Sequence, residues 1–259
     1  MTDHSPEGSP TPIVRKISFA DLRFSFAQGV RDFLKAPVFG LVIAGLFSLG
    51  GIIVYLQLTV WDSNWLILPF VVGFPLLGPF VVVGLYEVSH QLEEGNVPSW
   101  QNVLGRIFVQ RKRQIPSIAF IVTFFFGVWF YLAHLVFALF FGLSAMTNIS
   151  SSYDVLWSQQ GFMMLAVGSV VGGILAFVLY SISVVSFPLL VDREIDFVTA
   201  MITSFSAVLQ NFWVMIIWAG VVGVLTVIAM APMFLGLLFV LPVLGHATWH
   251  LYRRVLEPL

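Results

Sequence analysis

Five stretches of this 259-residue chain carry no Asp, Glu, Lys or Arg: 36–61, 63–86, 114–153, 155–191 and 197–252. A helix needs about 20 apolar residues to cross a bilayer core, and inside it every backbone polar group must be satisfied within the helix. The first four runs therefore predict one span each, at about 36–61, 63–86, 117–142 and 160–187. The fifth is too long for one span and breaks near "MAPM" (230–233), giving spans at about 211–230 and 233–253. The composition agrees: 59% of residues are hydrophobic and only 10% charged, with a mean hydropathy of +0.96. A soluble domain would carry roughly a quarter charged residues. The expected fold class is an all-α integral membrane protein of six spans.

Charge is also sorted by side. Arg15, Lys16, Arg23, Arg31 and Lys35 precede the first span. Arg106, Arg111, Lys112 and Arg113 lie between the second and third, Arg193 follows the fourth, and Arg253 and Arg254 follow the sixth. The opposite loops carry only Asp62 and Asp154, with Trp61, Trp65 and Trp157 nearby. Basic residues are retained on the cytoplasmic side and tryptophans collect at interfaces. Both termini are therefore expected in the cytoplasm. Residues 1–17, polar and rich in Pro and Ser, read as a disordered cytoplasmic tail rather than a cleaved signal peptide, leaving 18–259 as a single membrane domain.

The segments between spans are amphipathic. In 18–37, Phe19, Leu22, Phe26, Val30 and Phe33 recur at helical spacing, with Asp21, Arg23, Gln28, Asp32 and Lys35 on other faces. Ser18 and Asp21 form a capping-box pattern. In 98–116, Trp100, Val103, Leu104, Ile107 and Phe108 oppose Arg106 and "RKR", a cluster suited to anionic headgroups. In 196–213, Thr199, Thr203, Ser206 and Gln210 mark a polar side. Three cytoplasmic-face helices, each followed by a membrane hairpin, give repeat-like units at about 18–95, 97–191 and 192–257. Their exits resemble one another: "FPLLG" (74–78), "FPLLV" (187–191) and "LPVLG" (241–245). Parallel repeats of this kind share an axis along the membrane normal.

"FPLLGPFVVVGLYEVSHQLEEGNVPSW", "DFVTAMITSFSAVLQNFWVMIIW" and "PVLGHATWHLYRRVL" resemble the bacterial DUF2189 family of predicted integral membrane proteins, from about residue 18 onward. The resemblance implies an inner-membrane protein and names no reaction.

Candidate chemistry is sparse. With no cysteine, disulfides, thiolate metal sites and cysteine nucleophiles are excluded. Glu87 and His90 share a helix face three residues apart, and His246 and His250 are four apart. If the ends of the second and sixth spans touch, three imidazoles and a carboxylate meet, a donor set for a transition metal. The alternative is hydrogen bonding between polar helix ends. His134, inside the third span, is either functional or bonded to a backbone carbonyl. Pro69, Pro75, Pro79 and Pro242 kink the second and sixth spans, around a cavity or against packed neighbours. Gly168 and Gly172, and Gly220 with Gly223, allow close helix approach. No phosphate loop, catalytic triad signature or nucleic-acid motif is present.

The leading expectation is a non-enzymatic accessory, scaffold or assembly protein without a cofactor, binding membrane lipids, another membrane protein or itself, and no nucleic acid. One alternative is a channel or carrier for a small neutral or lipid-like molecule. The other is a redox protein binding metal or haem through Glu87, His90, His246 and His250.

Overall fold

The computed structural model describes residues 12–60, 82–110, 113–142 and 157–258, and every named element in them is a helix. In chain order these are α1 (Phe19–Lys35), α2 (Pro37–Thr59), α3 (82–93), α4 (Trp100–Gln110) and α5 (Ile115–Phe141). Then follow α6 (Gln159–Ser183), α7 (Ser186–Asp192), α8 (Phe197–Gln210), α9 (Phe212–Met230) and α10 (Leu237–Val255).

Among the described residues, four helical runs are long and apolar enough to cross a membrane: Pro37–Gln57, Ile115–Phe141, Gln159–Asp192 and Phe212–Met230. They answer to the first, third, fourth and fifth expected spans. Most of the second expected span, with its prolines and the "WDSNW" turn, lies outside the described residues, as do Arg111, Lys112 and most of the loop after the third. The sixth corresponds to α10, which is not among the four. Its last turns carry Arg253 and Arg254, and much of it is buried in protein, including His246, Trp249 and Tyr252.

The fold divides into two compact units, residues 1–119 with 181–259, and residues 120–180. In the first, α10 is the central helix. Gly29 of α1 faces it so closely that an added Cβ would stand 2.6 Å from the Ala247 nitrogen and the Val243 carbonyl oxygen. Gly40 of α2 meets Pro242, and Gly245 meets Leu85 of α3. In the second unit, α5 and α6 approach where the small residues predict it: the Trp129 ring covers Gly172, and Val136 lies against Gly168.

The α9–α10 break falls where "MAPM" puts it, with Met233 and Phe234 at positive φ of 51° and 65°. Between α6 and α7 the helix breaks four residues before Pro188, which has no N–H and would crowd the carbonyl of residue 184. The Ser204 hydroxyl of α8 repairs the gap, donating to Ser181 O at 2.7 Å and accepting from Val185 N at 3.1 Å. At the start of α1 the Asp21 carboxylate accepts from Ser18 N at 2.9 Å and Ser18 Oγ at 2.7 Å, the reciprocal half of the expected capping box.

One expectation needs correction. Residues 13–17, assigned to a disordered tail, are tied down: Val14 bridges Leu256, Arg15 N donates to Val255 O, and Asn211 accepts from Ile17 N while donating to Arg15 O. The sequence pattern leaves open which helix faces are buried. On α1 the buried stripe is Leu22, Ser25, Gly29 and Asp32, joined by Phe33, whereas Phe19 is 51% exposed. On α8 it is Ala200, Thr203, Ser204, Ala207 and Val208, while Val198, Ile202, Phe205 and Leu209 point outward. Small and polar residues face the protein because they let helices approach and satisfy one another's polar groups, an economy suited to a surrounding apolar solvent.

Candidate functional site

The polar ends of α1, α3, α7 and α10 converge in the first unit. Asp32, on the α1 face that meets α10, is almost fully buried, and its Oδ2 accepts from His250 Nε2 at 2.7 Å. Ser89 and His246, both fully buried, are joined Oγ to Nδ1 at 2.8 Å. Burial pushes the Asp32 carboxyl up, but the hydrogen bond and charge of His250, with help from Ser89 and His246, outweigh it and hold the group below the usual carboxylate range. If Ser89 donates to Asp32, its oxygen is left to accept from His246 Nδ1–H. The four side chains then form one buried network ending on a single carboxylate.

Around this core the acidic ends of α3 and α7 grip the last turn of α10. Glu93 accepts from Trp249 Nε1 and from Arg253 Nε, each at 3.2 Å. Asp192 accepts from Tyr252 Oη at 2.6 Å and from Arg253 Nη1 at 3.4 Å. Arg193 donates to the Glu257 carbonyl. A cavity of about 460 Å³ opens here, with Asp32 and His250 in its wall and Arg15, Lys35, Arg193 and Arg254 around it. The walls carry more cations than carboxylates, which favours an anionic group.

The four residues singled out for a metal are placed as follows. The ends of α3 and α10 do touch, through Ser89 and His246. Glu87 pairs instead with Arg106 of α4 at 3.3 Å and accepts from Gln91 Nε2 at 2.8 Å. His90 lies 3.7 Å from Glu94 and edge-on to the Trp249 ring. His246 goes to Ser89 and His250 to Asp32. Among the described residues no group of three or more His, Asp or Glu side chains is placed to hold a metal ion. His134 bonds the Phe130 carbonyl oxygen at 2.8 Å, the blander of its two readings.

Sequence reasoning missed Asp32 and Ser89. Asp32 sat on a helix whose polar side pointed, by pattern, to water. Its position four residues from Gln28 and three from Lys35 looks like any solvated helix face. The signal that was present is Gly29: a glycine inside an amphipathic helix marks a close approach, and Asp32 is the next residue on that face.

No curated protein and no solved structure matches the chain. Of the three stretches that carry the resemblance, the first (74–100) lies within the family match and the other two, 196–218 and 242–256, fall outside it. Over residues 67–192, just under half of its length, the chain matches the DUF2189 family, described as predicted integral membrane protein.

Proposed function

We propose that this protein is a non-enzymatic accessory or scaffold of the bacterial inner membrane, binding lipid or another membrane protein through its surface helices. The observation that carries this reading is the outward apolar stripe of α8, Val198, Ile202, Phe205 and Leu209, opposite a small and polar face packed on protein. On α4, Leu104 and Phe108 are likewise exposed while Val103 is buried. A helix with its large apolar residues outward lies in an interface or against a partner.

In this reading all six expected spans cross the membrane, both termini are cytoplasmic, and the three surface helices lie on that leaflet. The threefold repeat draws support from the element order after two of the three surface helices, since α4 precedes α5 and α6 and α8 precedes α9 and α10, while most of the corresponding second segment after α1 lies outside the described residues. It also draws support from the meeting of the three exits, since Glu93, Asp192 and Arg253 follow the three related motifs.

The chain is free of cysteine, so single cysteines report cleanly. Nitroxides at positions 202 and 205, in nanodiscs, should be reached by oxygen and shielded from a polar nickel reagent, and the reverse at 206 and 210. The purified protein in liposomes should move no solute. Water-exposed labels at 202 and 205 overturn the interfacial reading, and solute flux by the protein alone moves the assignment to a carrier.

A further inference from the structure

A groove of about 870 Å³ runs between α1 and α9, walled by Phe19, Leu22, Phe26, Trp218, Val221 and Val224. Its walls are apolar along α9 from Ile217 to Leu225, about 12 Å at 1.5 Å per residue, and α9 is one of the helices able to cross a membrane. One charged residue lines it: Arg23 of α1, exposed and in no ion pair among the described residues. Trp218, 1% exposed, has an indole N–H without a hydrogen-bond partner. At Gly220 an added Cβ would meet nothing within 4 Å, so the missing side chain belongs to the groove's open space.

We infer that this groove holds one anionic phospholipid, with an acyl chain along α9 and the phosphate at Arg23. The charge pattern selects this occupant. Whatever fills the groove must be apolar over two turns of α9 and negative at one end. A second copy of the chain offers α9 itself, which has no acidic residue to meet Arg23. Phosphate binding by a lone arginine in headgroup surroundings is strengthened by the low local dielectric. The inference rests on the lipid-binding reading above and gives it a defined seat.

The test is native mass spectrometry of the full chain in mild detergent with phosphatidylglycerol or phosphatidylcholine added. One phosphatidylglycerol per chain should survive activation, with phosphatidylcholine retained at least several-fold less. Gly220→Leu, which fills the groove where there is room, should remove the bound lipid. Val224→Phe serves as a second filling variant should the first misfold. Arg23→Gln should abolish the preference for the anionic lipid while leaving some binding. Equal retention of both lipids, unchanged binding in both filling variants, or a dimer replacing the lipid overturns the inference. A nitroxide at 202 that stays in lipid while no phospholipid is retained sinks this groove alone; loss of both sinks the wider reading.

Discussion

Asp32 and His250 lie 218 residues apart in sequence and 2.7 Å apart in space. Their bond joins the inward face of α1 to the last turns of α10 at the edge of the cationic cavity. Asp32→Asn should cost about 1.5–3 kcal/mol, the range for a hydrogen bond to a charged group, read as a lower midpoint in thermal unfolding in detergent.

The same carboxylate sets an acid limit. A group whose folded pKa is depressed stabilises the fold above its unfolded value, near 3.9, and that contribution is lost as pH falls through the folded value. Stability should therefore be level with respect to Asp32 from neutral pH to about 4 and decline below it. Asp21 is held low by bonds from Ser18, backbone first, and Asp196 by bonds from Thr199, side chain first, so they decline in the same window. Asp32→Asn should shallow the slope without removing it, and an unchanged slope would show that Asp32 does not titrate with unfolding.

Gly172 and Gly173 offer a paired test in the second unit. A Cβ at Gly172 would stand 2.5 Å from the Trp129 ring, while at Gly173 it would meet nothing within 4 Å. Gly172→Val should destabilise by about 1–3 kcal/mol, the usual cost of overpacking. Gly173→Val should be near neutral, as measured by the same thermal unfolding. Equal effects would mean that the α5–α6 contact is not the one described.

Asn211 holds the chain from Arg15 to Ile17 by two side-chain hydrogen bonds, at 2.8 and 3.0 Å. Asn211→Ala should release that segment, and trypsin should cut after Arg15 and Lys16 at least several-fold faster while the helices stay intact. An unchanged cleavage rate would show that the bridge between Val14 and Leu256 suffices alone.

Much of the helical architecture is legible in the chain because bilayer physics writes it in one-letter terms. Absence of charge places α2, α5, α6 and α9 within uncharged runs, and the positive φ at Met233 and Phe234, at the end of "MAPM", marks a break that the length of the last run demands. The site is less legible. Periodicity identifies two faces of α1 but not which one meets protein, and in lipid the usual answer reverses: Ser25, Gly29 and Asp32 go inward while Phe19 stays out. Pairing is equally hidden. Glu87 and His250 look equivalent as ligands, yet Arg106 takes the first and Asp32 the second, and both partners come from helices, α4 and α1, whose position no local pattern sets.

The contact between α1 and α10 also orders events in time. At roughly 5–20 residues per second of synthesis the 218 residues from Asp32 of α1 to His250 of α10 take about ten to forty seconds to appear. Throughout that wait the Asp32 carboxylate and the bare Gly29 lack the α10 surface that covers them. In the proposed reading the apolar face of α1 rests in the membrane surface meanwhile, until α10 arrives to cover the other side.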